Sequence, residues 1–272
     1  MKLMVTSDLH GNTWKYNKLC REAEKVKPDV VINIGDMFPN DNNLYRQQEY
    51  IENQINEHFK VFNDAKIYYL CFPGNDDLMT FDGLFQEVCD RYPYVKHIAQ
   101  RKAQINGYDF IGFNWVLDYP FLLKDRCRKD TKDYKIGVQK GTALLSTETG
   151  LKEIPNWKKY VAGLPTIEEE LKKLERPADM KKAIYVVHMP PANLGLDVCI
   201  NKQKVGSEAL YNFIKINQPL LTVHGHIHES PEMTGKWLTK LGSSTCIQAG
   251  QPDDLVYVIV DLGTMQCERM RI

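Results

Sequence analysis

The segment Lys2-Leu3-Met4-Val5-Thr6-Ser7-Asp8-Leu9-His10 sets a pattern that the rest of the chain repeats. A β-prone run, Leu3 to Thr6, ends in a carboxylate and an imidazole two residues apart. The run Val30–Ile34 likewise leads into Gly35-Asp36, and Ile67–Phe72 leads into Gly74-Asn75-Asp76-Asp77. Ala183–Val187 leads into His188-Met189-Pro190-Pro191, and Leu220–Val223 into Gly225-His226-Ile227-His228. In a parallel α/β sheet the carboxyl ends of the strands open into one crevice, so loops remote in sequence converge there. One such residue is ordinary. Asp8 could cap a helix, Asp36 could end a strand, Asn75 could sit in a turn, and His188 could be a hydrogen-bonded core histidine. Five equivalent strand ends supplying two carboxylates, one amide and four imidazoles are not explained by packing.

Between these runs the periodicity changes. Within Trp14–Val26, the residues Leu19, Ala23 and Val26 recur at helical spacing until Pro28-Asp29 breaks the pattern. A polar loop from Asn40 to Asn43 precedes a helix expected over Leu44–Phe62. Strands separated by helices favour right-handed βαβ units and a parallel sheet. Tyr108–Phe113 reads as a strand after an Asn106-Gly107 turn. From residue 114 to 153 no period persists, and Lys, Arg and Asp are frequent. We read about 114–165 as an irregular insertion, of the kind that covers a site, within a single domain spanning 1–272. Thr166 and Glu169 have capping-box spacing for a helix running to about Leu174, and Gly206–Ile214 is a second short helix. Thr245–Ala249, Leu255–Asp261 and Met265–Met270 read as strands, the last two joined at a Gly263-Thr264 corner.

The composition excludes several classes. Hydrophobic residues make up 43% of the 272, enough for a sizeable core, so disorder is excluded. Basic and acidic residues balance at 35 each, which gives no signal for nucleic acid or a membrane surface as partner. The seven cysteines are odd in number and form no Cys-x-x-Cys, so neither a zinc ribbon nor a disulfide framework is expected. Reduced thiols, and the absence of any apolar stretch near the ~20 residues of a membrane span, point to a cytoplasmic protein. The first strand begins almost at once, leaving no room for a removable leader. The oligomeric state stays open.

Extended residues at i and i+2 share a face, so Asp8 with His10, and His226 with His228, are each expected to chelate from one side. Gly35, Gly74 and Gly225 would let the backbone approach closely. In order and spacing these motifs resemble those of the calcineurin-like metallophosphoesterases: D-x-H as Asp8-Leu9-His10, G-D as Gly35-Asp36, G-N-x-[DE] as Gly74-Asn75-Asp76-Asp77, the strand-end His188, and G-H-x-H as Gly225-His226-Ile227-His228. The resemblance implies a four-layer α/β/β/α sandwich with two mixed β-sheets. It implies two divalent metal ions, one held by Asp8, His10 and His228, the other by Asn75, His188 and His226, with Asp36 bridging. It implies hydrolysis of a phosphate ester by in-line attack of a metal-bridging hydroxide on phosphorus. Two cations roughly 3.5–4 Å apart need such shared anions. The mixed carboxylate, amide and imidazole set suits Mn²⁺ best, with Fe, Zn, Ni or Co as alternatives.

The chain departs from the resemblance at one position. Many members carry His after the motif Asn, where it positions phosphate or protonates the departing oxygen; here Asp76 stands there. Asp36, Asn75 and Asp76 are thus the candidate catalytic residues, with Asp76 expected to turn away into a loop hydrogen bond. Phosphodiesters with good leaving groups are the expected substrates, ahead of phosphomonoesters or nucleotide pyrophosphates. A protein-binding scaffold that retains the fold is the non-enzymatic alternative. Asn12, Asp77, His224 and Glu229 are expected to support the metal ligands from behind. His224, His58 and His97 are candidate substitutes for the missing acid. Lys124, Arg126, Arg128, Lys129 and Lys132 read as a solvated charge run or as a clamp for a second phosphate. Trp115, Tyr119 and Phe121 could stack a base or belong to the core.

Overall fold

The computed structural model describes all 272 residues. Two six-stranded sheets carry the fold. The first has the order β16-β15-β1-β2-β3-β4, from β1 (Lys2–Thr6), β2 (Val30–Asn33), β3 (Tyr68–Cys71), β4 (Val95–His97), β15 (Val256–Asp261) and β16 (Gln266–Arg271). The second has the order β13-β14-β12-β11-β6-β5, from β5 (Lys102–Ile105), β6 (Tyr108–Phe113), β11 (Ala183–Val187), β12 (Leu221–His224), β13 (Leu238–Leu241) and β14 (Ser244–Gln248). Strands β1 to β4 run parallel, as do β6, β11, β12 and β14, and antiparallel strands close the remaining edges. Both sheets are therefore mixed, as expected. Strand β13 was not anticipated; its half-exposed Leu-Thr-Lys-Leu carries little apolar signal.

Strand alternation explains the four layers. Leu3, Val5, Val30, Ile32 and Leu70 of the first sheet meet Phe110, Ile184, Val186, Leu221 and Val223 of the second in one buried cluster. The intervening residues point outward. Met4, Val31, Tyr69 and Cys71 pack on α1 (Thr13–Val26), α3 (Asn56–Asp64) and α4 (Asp82–Asp90), while Ala183, Tyr185 and Val187 pack on α6 (Ile167–Lys173) and α7 (Glu208–Asn217). A strand buried on both faces reads as a continuous apolar run, which is why these strands were legible.

The helix expected over 44–62 is segmented. A short turn at Leu44–Arg46 and α2 (Gln47–Tyr50) lead through a widened π-turn, Ile51–Ile55, into α3. Ile51, Ile55 and Phe59 are all fully buried at four-residue intervals. The widened turn lies within that buried series.

The stretch 114–165 is more ordered than expected. It holds the short parallel pair β7 (Val116–Leu117) and β8 (Cys127–Arg128), the hairpin β9 (Ala143–Thr147) with β10 (Gly150–Ile154), and α5 (Trp157–Ala162). The hairpin is half-exposed along most of its length, so no period-2 burial pattern marks it. Three of the five basic residues are neither a solvated run nor a clamp, while Lys129 is half-buried and Lys132 lies exposed 3.6 Å from Glu169. Lys124, Arg126 and Arg128 are buried, with Lys124 on Asp118 at 2.9 Å and the Arg128 guanidinium 3.7 Å over the Trp115 ring.

The three histidines offered as alternative acids are structural. His97 ends β4 on Gln86. His224 is the last residue of β12, fully buried and in register with Val187 of β11. His58 sits among Tyr16, Phe62 and Tyr69, its Nε2 buried without a partner. Burial presses the His58 pKa down to about 3. That value lies below the ordinary ~6.5 of an unfolded His, so on acidification the unfolded chain takes the proton first and stability falls below about pH 6.5. His58→Phe keeps the aromatic contacts and removes the titration. Urea unfolding at pH 7 and pH 5 should show a smaller loss of stability for the variant than for wild type, by about 1–2 kcal/mol; equal losses would contradict the burial of a neutral imidazole.

Candidate metal centre

The loops after β1 and β2 are zipped together by their backbones. Asp8 N–H donates to Gly35 O at 3.0 Å, His10 N–H to Asp36 O at 2.9 Å and Gly11 N–H to Met37 O at 3.0 Å. In the second sheet His188 N–H donates to Phe113 O at 3.0 Å and Gly225 N–H to His188 O at 2.9 Å. The β1–β2 and β11–β12 loops then meet. His226 N–H reaches both carboxylate oxygens of Asp8 at 3.0 Å, and His188 Nδ1 lies 2.6 Å from Ile34 O.

Three glycines make this approach possible, and a Cβ on Gly35 would stand 2.8 Å from His188 Nδ1. A Cβ on Gly74 would collide with Asp36, and one on Gly225 would stand 2.7 Å from Asp8 Oδ2. The shared-face reasoning from extended backbone does not hold, however. Asp8, His10, Asp36 and His226 have φ of 55°, 43°, 48° and 69°. Asp8 and His10 converge through left-handed turns, and His226 and His228 do not form one chelating pair but face different partners.

Two donor groups result. Asp8, His10, Asp36 and His228 bring one atom each to within 4.8 Å of one another, and Asp36, His188 and His226 do the same beside them. Asp36 belongs to both. Asn75 Oδ1 lies 2.8 Å from His188 Nε2, which adds it to the second group. The donor chemistry fits cations. His188 Nδ1–H donates to Ile34 O, so in the neutral ring Nε2 would turn a lone pair toward Asn75 Oδ1 and toward Asp36 Oδ2 at 3.4 Å, and without a metal ion a proton there answers both. His10 Nε2 and His228 Nε2 stand 3.2 Å apart. Acceptors facing acceptors in a buried site require a proton or a metal ion between them. Burial would lower the His188 pKa, but the facing Asp36 carboxylate outweighs it and carries it up to about 9. Burial and the neighbouring His188 press His226 down to about 4, leaving it a neutral donor at pH 7. Burial would raise the Asp36 carboxyl, yet His188 and His10 hold it below the usual carboxylate range.

The profile of the family described as calcineurin-like phosphoesterase matches residues 1–230. The chain belongs to that family. None of the curated proteins matches the chain in sequence. Among solved structures, the protein TT1561 of Thermus thermophilus is 16% identical, with a TM-score of 0.61 over 99% of this chain and 98% of that one. A dimetal phosphatase from Danio rerio is 10% identical, with a TM-score of 0.52 over 95% and 91%. At these identities the likeness is one of fold. No helix of this phosphoesterase is long and apolar enough to cross a membrane.

Of the four residues expected to support the donors, Asp77 ties two donor loops together. Its buried carboxylate accepts from Met37 N–H and Phe38 N–H at 2.9 Å and from Gly74 N–H at 2.7 Å, tying the Asp36 loop to the Asn75 loop. Asn12 instead caps α1, accepting from Lys15 N–H at 3.1 Å. Glu229 turns to Ile200 N–H at 2.8 Å. His224 packs its ring against Met189 O at 3.0 Å and Thr222 Oγ1 at 2.9 Å, bracing the loop after His188 without reaching a ligand side chain. Asp76 makes the expected loop hydrogen bonds, to Asn40 Nδ2 at 2.5 Å and Asn75 Nδ2 at 2.9 Å, yet its Oδ2 stays 4.0 Å from His10 Nδ1.

Two supports escaped the sequence reading. Arg126, 2% exposed, donates from Nε to Gly74 O at 2.8 Å and pairs with Asp82. Gln251 Nε2 donates to Ser7 O at 2.8 Å, beside Asp8. Neither lies in a motif, and an arginine in a charge-rich stretch carries no mark of burial.

These placements separate two variants. Asp77→Ala leaves three buried N–H groups without an acceptor and should cost about 3 kcal/mol of stability, with weaker binding of divalent ions. Asn12→Ala removes a helix cap and should cost about 1 kcal/mol with ion affinity unchanged. Urea unfolding and calorimetric Mn²⁺ titration check both; lost ion affinity in Asn12→Ala would contradict the assignment.

Proposed function

We propose that this phosphoesterase is a two-metal phosphodiesterase acting on small diesters with good leaving groups. The observation that carries the reading is the sharing of Asp36 between two adjacent donor groups. Asp8, His10, Asp36 and His228 would hold one ion, and Asp36, Asn75, His188 and His226 the other. Bound there, two divalent ions would lower the pKa of a water nucleophile and steady charge growing on the phosphoryl oxygens. The protein holds its donors in advance. His188 Nδ1–H is committed to Ile34 O, which aims Nε2 inward, and His226 N–H fixes the Asp8 carboxylate. With Mn²⁺ preferred, the mixed donor set also accommodates Fe, Zn, Ni or Co.

The preference for diesters rests on Asp76. The position after Asn75 offers no imidazole to hand a proton to the departing oxygen, and the Asp76 carboxyl there, its pKa raised above the usual range by burial and the nearby Asp36, is engaged with Asn40 and Asn75. Esters whose leaving group needs no proton suffer least.

Metal-stripped protein should be inactive and should regain turnover with Mn²⁺. It should hydrolyse bis(p-nitrophenyl) phosphate faster than sugar phosphates, at least tenfold in kcat/KM. Faster sugar-phosphate turnover would overturn the diester preference. Asp36→Asn should retain the fold and lose activity by about a thousandfold, several kcal/mol of transition-state stabilisation. Near-wild-type turnover in that variant would contradict the bridging role, and metal binding with no turnover of any ester would favour the scaffold alternative.

A further inference from the structure

Beside the second donor group the chain builds an aromatic wall that the phosphoester chemistry leaves unused. The Tyr119 ring lies 6.0 Å from His226, and Phe121 lies 5.9 Å beyond Tyr119, two ring-to-ring steps outward from the ligand cluster. Phe121 is 58% exposed, an unusual position for a phenylalanine, and Leu122 beside it is also exposed. Lys140 Nζ stands 4.6 Å from the Phe121 ring.

This wall is held by buried polar groups. Asp118 Oδ1 accepts from Lys124 Nζ at 2.9 Å and from Trp157 Nε1 at 2.8 Å, and Asp118 Oδ2 accepts from Gln139 Nε2 at 3.0 Å. Lys124 is 1% exposed and also donates to Tyr119 O. Tyr119 OH donates to Leu123 O at 2.7 Å, which fixes its ring. Burying a lysine and an aspartate is costly, and here the pair pins both ends of the segment 118–124 while leaving the Phe121 ring in solvent.

An exposed aromatic ring with a lysine at its face, two ring-to-ring steps from donor groups that would hold two cations, matches a ligand joining a planar ring to a phosphate. We propose that Phe121, backed by Tyr119 and Lys140, is a base-stacking subsite, and that the substrates of this phosphoesterase are nucleotide esters. This deepens the phosphodiesterase reading and rests on it. Base–aromatic stacking needs a single exposed face and is worth ~1–3 kcal/mol per base.

The test is calorimetric binding to Mn²⁺-loaded protein of two probes, adenosine 5′-monophosphate and methyl phosphate, which share the phosphate and differ in the base. Wild type should bind the nucleotide at least tenfold more tightly. Phe121→Ala, a change at an exposed position, should remove about tenfold of that affinity and leave methyl phosphate unchanged, and Phe121→Tyr should restore it. No preference in wild type, or equal losses for both probes in Phe121→Ala, would overturn the subsite while leaving the phosphoester reading intact. A wild-type protein that binds neither probe would overturn both.

Discussion

A buried carboxylate shared by two sets of donors is the constraint around which this molecule is arranged. Asp36 is 2% exposed and faces His188 at 3.4 Å and His10 at 3.9 Å. An unpaired anion at such depth would be severely destabilising. Its charge is answered from both sheets at once: His10 comes from the first, His188 from the second, and Asp76 N–H donates to Oδ1 at 2.8 Å. The two sheets therefore need to pack with their strand ends in one crevice, and the apolar cluster between them provides that packing.

The backbone carries strain for the same end. Asp8, His10, Asp36 and His226 all occupy left-handed conformations, which cost a non-glycine residue roughly 1 kcal/mol or more each. The strain is held in place by the interlocked N–H to carbonyl bonds between the β1 and β2 loops and by the three bonds that Asp77 accepts. Pre-formed loops mean that donors do not have to be ordered when a ligand arrives, which is the usual requirement for a precise metal site.

The strands and the donor residues at their ends were legible because doubly buried strands read as apolar runs and their ends carry a dense, unusual set of donors. Local conformation was less legible. The i, i+2 spacing of Asp8 and His10 suggested extended backbone, and the left-handed turns that replace it follow from contacts with residues 35–37, remote in sequence. The charged stretch 124–128 misled for a related reason. Lys124, Arg126 and Arg128 are buried because Asp118, Asp82 and Trp115 wait for them in the folded chain, and nothing in the local sequence announces those partners. Asn12 and Glu229 showed the converse: nearness in sequence to a ligand does not make a residue its support. Through Arg126 the segment grips the Asn75 loop, and through Lys124 it presents Tyr119 to His226.

The central claim is that the shared carboxylate lies between two cations. Anomalous diffraction from crystals grown with excess Mn²⁺ tests it directly. The account predicts two peaks per chain, one among Asp8, His10 and His228 and one among Asn75, His188 and His226, with Asp36 touching both. A single peak, or none with Asp36 paired only to its histidines, would contradict it.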